Sequence, residues 1–125
     1  MTGTSLDGLD LSLVRIEGHG LEMRAQPIAH DAAGLGPLAR RLRTAAEGAP
    51  LPAGAFAELA LELGRLVAAA AAAFCERARV RPTLAAVHVQ TIYHRPPLSW
   101  QIVNPHPIAA ALACPVVFDL RGADL

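Results

Sequence analysis

Residues 1–16 read MTGTSLDGLDLSLVRI, a polar, turn-rich segment that runs into alternating apolar and polar residues. From Leu9 to Ile16 the apolar side chains first recur at every second position, which is typical of a half-buried β-strand. Residues 17–20, EGHG, indicate a turn. We therefore predict a second strand over residues 21–28, antiparallel to the first.

Beyond this hairpin, helical and strand patterns alternate along the chain. Apolar residues at steps of three and four predict helices, and short apolar runs next to prolines predict buried strands. The predicted elements are a helix over 38–46, a long helix over 54–80, a strand over 84–89, a short helix over 108–113 and a strand over 115–120. This order predicts an α/β fold, a mixed sheet with flanking helices.

Composition narrows the classes of function. The chain has 125 residues, of which 53% are hydrophobic, and its 11 basic and 11 acidic residues balance. A neutral chain of this kind favours one domain and argues against nucleic acid as a partner. All the basic residues are arginines, so a lysine-containing P-loop and Schiff-base chemistry by this chain are excluded.

The cysteines and the apolar runs bear on location. Cys75 and Cys114 form no C-x-x-C pair, so we predict two reduced, partly buried thiols in a cytoplasmic protein. The most apolar run, residues 66–75, has about half the roughly twenty residues that a spanning helix needs, so we predict no membrane partner.

Residues 3–8, GTSLDG, are a candidate ligand loop. Gly3 and Gly8 allow a tight turn, whose N–H groups and the hydroxyls of Thr4 and Ser5 can surround an anion. Asp7 could hold a phosphate-bound Mg²⁺ through water. An ordinary β-turn would have the same composition.

Residues 88–97, HVQTIYHRPP, combine hydrogen-bonding side chains with a flat ring. One interpretation is the edge of a pocket for a sugar or another hydroxylated ligand. A second is a metal site of His88, His94 and His106, although their spacing matches no usual zinc pattern. A third is a polar loop with satisfied histidines.

Residues 119–124, DLRGAD, follow the last predicted strand. An aspartate at the carboxyl end of a buried strand lies where α/β proteins bind ligands. Asp119, Arg121 and Asp124 could instead form a local set of salt bridges.

Taken together and in order, these segments resemble the N-terminal part of the anhydro-N-acetylmuramic acid kinases, a family of the sugar-kinase/Hsp70/actin superfamily. Met1 to Asp10 match the family's opening G-x-M-S-G-T-S-x-D-G-x-D, with Thr2 in place of a serine. Three further motifs match: H-G-Q-T-x-x-H-x-P at His88, Gln90, Thr91, His94 and Pro96, Q-I-G-D-P at Gln101, Ile102 and Pro105, and V-V-x-D-F-R-x-x-D at Val116, Val117, Asp119, Arg121 and Asp124.

The resemblance implies a reaction. The family opens the 1,6-anhydro ring of a murein-derived amino sugar with water and phosphorylates O6, using ATP and Mg²⁺. The product is N-acetylmuramic acid 6-phosphate, an intermediate of cell-wall recycling. The resemblance also implies an actin-like ATPase (ribonuclease H-like) lobe and a possible homodimer.

The same resemblance implies two groups of site residues. The phosphate loop of ATP would be formed by Gly3, Thr4, Ser5, Leu6, Asp7, Gly8, Leu9 and Asp10, with Asp7 near the metal. The sugar side of the cleft would be formed by His88, Gln90, Thr91, Asp119 and Arg121. Because a guanidinium forks onto a carboxylate, Arg121 is the candidate for the lactyl carboxylate of the sugar.

The resemblance further implies that residues 1–125 are one partial domain, part of an N-terminal kinase lobe. The family's first strand is expected before Met1, and its general-base aspartate and its adenosine site are expected beyond Leu125. No catalytic residue is therefore assigned, and the chain alone is expected to be inactive.

Three positions depart from the family pattern. Val89 and Val103 replace family glycines, which would cost free energy at positive φ and crowd the cleft, and Asn104 replaces an aspartate. A piece of a true kinase, a degenerate remnant that at most binds a phosphate or a partner, and an unrelated binding domain all remain open.

Overall fold

The structure is a computed structural model that describes residues 8–122. This part of the chain contains six strands and three α-helices. In chain order they are β1 (Leu9–Glu17), β2 (Arg24–Ala33), α1 (Leu38–Ala46), α2 (Ala53–Ala78), β3 (Ala85–Ala86), β4 (Thr91–Arg95), β5 (Leu98–Gln101), α3 (His106–Leu112) and β6 (Val116–Val117).

The first hairpin is confirmed, but its second strand begins and ends later than the predicted 21–28. β1 pairs antiparallel with β2, from Leu9 opposite Ala33 to Glu17 opposite Arg24. The second strand begins later than predicted because residues 20–22 form a 3-10 turn. Gly18 has a φ of +80°, and a Cβ there would lie 2.7 Å from the Glu22 carbonyl oxygen, so this turn requires glycine.

The helices match the predictions within two residues at each end, and α1 matches at both ends. α2 stops where Arg79 adopts the left-handed conformation, with a φ of 55°. α3 begins at His106 after Pro105, and Asn104 Oδ1 accepts the His106 N–H at 3.0 Å, so this first-turn donor is satisfied.

The core lies around one face of α2. Leu59 and Leu63 of this helix are buried with Leu42 of α1, and Ile108 of α3 and Leu9 of β1 close the cluster from other sides. α2 is therefore the scaffold on which the other elements pack. No helix among residues 8–122 is both long and apolar enough to cross a membrane.

The α/β class is confirmed, but the prediction of one mixed sheet is wrong for residues 8–122. The strands form three two-stranded sheets, antiparallel β1–β2, parallel β3–β6 and antiparallel β4–β5. Residues 9–13 and 84–87 face each other across a cavity of about 150 Å³ without pairing. Hence β1 and β3 line this cavity from opposite sides and do not form hydrogen bonds with each other.

The predicted strands at 84–89 and 115–120 are each reduced to two paired residues. Val87 N–H still donates to the Val117 carbonyl oxygen at 2.8 Å, just past the paired residues. Asp119 then turns the chain out of the extended conformation with a φ of 55°.

The polar segment after residue 90 is a hairpin, which the sequence interpretation as a loop missed. Thr91 lies opposite Gln101, and Arg95 opposite Leu98. The two strands are joined by Pro96 and Pro97, whose peptide bond is cis. Prolines usually argue against a strand, but here they occupy only the turn between the two strands.

Both cysteines are free and partly buried, as predicted. Burial raises the pKa of the Cys75 thiol, and the nearby Cys114 adds to this effect.

Candidate functional site

The segment from His88 to Thr91 connects β3 to β4 and carries three of the predicted sugar-side residues. The Gln90 side chain is 6% exposed, and its Nε2 donates to the Thr91 carbonyl oxygen at 3.0 Å. Its backbone carbonyl accepts the Ile102 N–H at 3.0 Å. Gln90 Oε1 is buried and has no hydrogen-bond partner. Gln90 is thus held from two sides and keeps one unused acceptor.

Gln101, the last residue of β5, joins the same polar cluster. Its side chain is 8% exposed, and its Nε2 donates to the Val89 carbonyl oxygen at 3.1 Å. The same nitrogen lies 3.3 Å from each ring nitrogen of His88. Gln101 matches a family motif but was not predicted as a site residue. The sequence feature that could have identified it is a polar side chain directly before the buried Ile102.

Parallel pairing brings the two predicted sugar-side segments to the same sheet edge. Ala86 pairs with Val117, and His88 and Asp119 each follow two residues later. Since the carboxyl ends of parallel strands lie side by side, the two segments leave the sheet together. Ligands of α/β proteins commonly bind at this position.

Arg121 is partly buried, and its Nε has no hydrogen-bond partner. The ion pairs within residues 8–122 are Arg41–Glu62 and Arg77–Asp31. A salt bridge between Asp119 and Arg121 is therefore not formed in this part of the chain, and Asp124 lies outside it.

The loop after β6 is tightly folded around Asp119. The Gly122 N–H donates to the Asp119 carbonyl oxygen at 3.0 Å. A Cβ on Gly122 would lie 2.6 Å from Asp119 Oδ2, so the carboxylate lies directly over this glycine. Asp119 itself stays exposed at the end of the strand.

The last three residues, 123–125, lie outside the described residues. The position of the family's general-base aspartate beyond Leu125 therefore stays a prediction. The aspartates among residues 8–122 are Asp10, Asp31 and Asp119, and none of them is assigned as the base. Asp31 forms an ion pair with Arg77 of α2.

Most of the predicted phosphate loop, Gly3 to Asp7, lies outside the described residues, and the metal role of Asp7 with it. Of the remainder, Leu9 is 2% exposed, belongs to the core and pairs with Ala33 of β2. Asp10 is exposed and lines the cavity between β1 and β3.

The three histidines of the alternative metal site do not form a metal cluster. Among residues 8–122 there is no group of three or more histidine, cysteine or acidic side chains that could hold a metal ion. His94 and His106 are exposed, and the His106 backbone N–H donates to Asn104 Oδ1 at the start of α3.

The two valines that depart from the family pattern occupy unstrained positions. Positive φ occurs in residues 8–122 at Arg79, Ala113 and Asp119 among residues other than glycine, so neither valine pays this cost. Val89 is 2% exposed within the core, and Val103 packs against the core. The expected crowding of a cleft by Val89 is therefore wrong, because this side chain points into the core.

Asn104 is held by two contacts that do not need a charge. Its N–H donates to the Ala60 carbonyl oxygen in α2 at 3.0 Å, and its Oδ1 caps α3. A Cβ on Gly64 would lie 2.2 Å from the Asn104 carbonyl oxygen. This glycine thus lets the loop approach the helix backbone.

The fold and the site define an α/β protein with polar, partly unsatisfied segments at the carboxyl ends of two parallel strands. The family model of anhydro-N-acetylmuramic acid kinase matches residues 1–125. The chain belongs to this family.

Similar proteins agree with this assignment. The chain is 36% identical to a protein of Synechococcus sp. (strain CC9605) over 132 residues and 36% identical to one of Rhizobium johnstonii over 135. It is 40% identical to one of Rhizorhabdus wittichii over 142. Each is named anhydro-N-acetylmuramic acid kinase, and each match covers 100% of this chain. The chain spans 34–36% of the length of these curated relatives.

Proposed function

We propose that residues 1–125 supply the sugar side and the phosphate loop of a kinase that opens 1,6-anhydro-N-acetylmuramic acid with water and phosphorylates it to N-acetylmuramic acid 6-phosphate. The reaction belongs to peptidoglycan recycling, and we assign it to the cytoplasm. No residue of this chain is proposed as the general base, so the chain alone is expected to give no turnover.

The observation that carries this proposal is a set of buried polar atoms without partners. Within residues 8–122 these atoms are Gln90 Oε1, Ser99 Oγ, Gln101 Oε1 and Arg121 Nε. Gln90 and Arg121 belong to the segments that follow β3 and β6, and Ser99 and Gln101 belong to β5, whose last residue contacts the first of these segments. A buried polar group without a partner costs about 1–3 kcal/mol, so a ligand that satisfies it is favoured.

The chemistry of these atoms matches the proposed sugar. The two amide oxygens accept hydrogen bonds, as sugar hydroxyls and an acetamido N–H require. The Arg121 guanidinium donates, and it is suited to the lactyl carboxylate. His88, Thr91 and Asp119 add further polar groups at the same sheet edge.

ATP would supply the phosphoryl group, and Mg²⁺ would neutralise its phosphates. Gly3 to Asp10 are the residues that we assign to the phosphates, with Asp7 towards the metal through water. A homodimer is part of the proposal by family resemblance.

A chimera tests the proposal. Residues 1–125 replace the matching N-terminal third of the Synechococcus relative, and mass spectrometry follows the sugar in the presence of ATP and Mg²⁺. The expected product is the sugar with its anhydro ring opened and one phosphate added. The 125-residue chain without the rest of the relative serves as the inactive control.

The degenerate remnant is the second candidate, because Val89, Val103 and Asn104 depart from the family's motifs, although the fold accommodates all three. A folded chimera without product would support the remnant. Restoring glycine at Val89 and Val103 and aspartate at Asn104 then identifies the cause, because the remnant predicts that product appears only in the restored chimera.

A further inference from the structure

The cavity between β1 and β3 lies between two strands that each use only one edge. Within residues 8–122, β1 pairs with β2 alone and β3 pairs with β6 alone. Residues 9–13 of the first pair and residues 84–87 of the second line the cavity from opposite sides. A strand in the interior of a sheet forms hydrogen bonds along both edges, so each of these strands has a second edge available for pairing.

The hydrogen bonds of β3 indicate which of its backbone groups face the cavity. The Ala85 N–H donates to the Pro115 carbonyl oxygen at 3.0 Å, on the side of β6. The Val87 N–H donates to the Val117 carbonyl oxygen at 2.8 Å, on the same side. Because the N–H groups of successive residues in a strand point to opposite edges, the Ala86 N–H points away from β6. Ala86 is exposed and lines the cavity, so its backbone is accessible to a further strand.

Apolar side chains of two helices also line the cavity. They belong to Val67 and Phe74 of α2 and to Ile108 and Leu112 of α3. Val67, Phe74 and Ile108 are 4%, 6% and 1% exposed, so this surface is continuous with the core. An occupant of the cavity must therefore present apolar side chains to the helices, as a strand in the interior of an α/β sheet does.

We propose that the gap between β1 and β3 accepts an additional β-strand, supplied by an extended apolar segment that directly precedes residue 1 in a longer form of the chain. The family resemblance implies a strand before Met1, and the cavity gives that strand a position. In this position it would join the β1–β2 and β3–β6 pairs into one continuous sheet.

The connection to β1 identifies the occupant and its direction. β1 begins at Leu9, which itself lines the cavity, so residues 1–8 link the preceding segment to the gap. Eight residues span up to about 28 Å, which is enough for the chain to turn back beside β1. Strands joined by a short connection are antiparallel, so the additional strand would run antiparallel to β1.

The test is amide hydrogen exchange, measured by NMR spectroscopy on the labelled 125-residue chain with and without an N-terminal extension. The extension places Val-Ile-Val-Ile-Val directly before Met1. We expect the Ala86 N–H to exchange about tenfold more slowly in the extended chain, because it gains a hydrogen-bond acceptor. The Val87 N–H, which is already bonded to Val117, is the internal reference for changes in overall stability.

Val-Pro-Val-Pro-Val is the matched control extension, since it has the same length and is apolar but lacks the N–H groups of a paired strand. It should leave the exchange of Ala86 unchanged. Val-Thr-Val-Thr-Val replaces the first extension if that chain does not stay folded, because threonine keeps the β propensity and is less apolar.

An unchanged exchange rate of Ala86, relative to Val87, in a folded chain with the threonine or isoleucine extension would overturn the proposal. Equal slowing with the proline extension would also overturn it. Slow exchange of Ala86 that depends on the concentration of the unextended chain would assign the gap to a second copy of the protein instead. None of these results depends on the sugar or ATP, so failure of the chimera to form product would not affect them.

Discussion

The two antiparallel hairpins of this protein are stabilised in different ways. β1–β2 pairs over nine residues of β1, yet beyond Leu13 every residue of β1 is exposed. β4–β5 is half as long, but its end is buried, with Gln101 and Ile102 at 8% and 1% exposure. Trp100 also packs on Phe56 of α2, with a ring-centroid distance of 5.0 Å.

The hairpin that is easier to predict from the sequence is therefore not the one that contributes residues to the candidate site. The long hairpin has an alternating pattern but packs against the core only at the end that contains residues 9–13 of β1 and Ala33 of β2. The short hairpin is hard to predict because its sequence is rich in prolines and polar residues, yet its last residue, Gln101, belongs to the polar cluster with His88 and Gln90. We therefore expect the contacts of the short hairpin to contribute more stability per residue than those of the long one.

The largest expected effect is on the loop that follows the short hairpin. Gly64→Ala would place a Cβ 2.2 Å from the Asn104 carbonyl oxygen and force the loop away from α2. We expect a loss of about 3 kcal/mol in the free energy of unfolding, measured by urea denaturation.

Gly54→Ala is the control, because a Cβ there meets no atom within 4 Å. Its stability should stay within about 1 kcal/mol of the wild type, as expected for glycine replaced by a helix former. Equal effects of the two substitutions would show that the close contact at Asn104 is not important.

A smaller effect is expected at the anchored end of the long hairpin. Leu13 is 9% exposed and Ile16 is 59% exposed on the same strand. Leu13→Ala should cost about 2 kcal/mol because it leaves a cavity. Ile16→Ala should cost less than about 0.5 kcal/mol.

Thermal unfolding of the two variants measures this difference. If Ile16→Ala destabilised the chain as much as Leu13→Ala, the outer half of the hairpin would have to be covered in solution.

The smallest effect concerns the ion pair between β2 and α2. The pKa of Asp31 is lowered from 3.8, first by the Ala32 N–H, which donates to Asp31 Oδ1 at 2.8 Å, and then by Arg77. A lowered pKa in the folded state means that this contribution to stability is present above pH 3.8 and is lost as the pH falls through the lowered value.

Arg77→Met should raise the pKa of Asp31 only part of the way to 3.8, since the Ala32 contact remains. A ¹³C NMR titration of the carboxyl group measures it, with Arg81→Met as the control that leaves it unchanged. A pKa that returned fully to 3.8 would mean that Arg77 causes the whole shift.

The sequence predicted those elements whose signal is local. Leu38 to Ala46 and the long helix show steps of three and four, and β1 shows alternation, so their existence follows from burial of one face. The β4–β5 hairpin was missed because its turn consists of two prolines and its strands are short and polar.

The candidate site was only partly predictable. Motif resemblance identified His88, Gln90 and Arg121, but not the bridge from Gln101 to Val89 and His88, which forms only when residues 12 and 13 positions apart meet in the fold. Likewise the packing of Val89 in the core depends on tertiary contacts that no local pattern reveals.

The central claim is that residues 1–125 bind the sugar, with Arg121 on its carboxylate. The direct test is the KM for the anhydro sugar and for ATP in the chimera, comparing Arg121→Ala with Arg95→Ala, which removes an exposed guanidinium from the hairpin. We predict that Arg121→Ala raises the KM for the sugar by about tenfold or more, that the KM for ATP stays unchanged, and that Arg95→Ala alters neither. An unchanged KM for the sugar in Arg121→Ala would contradict the claim.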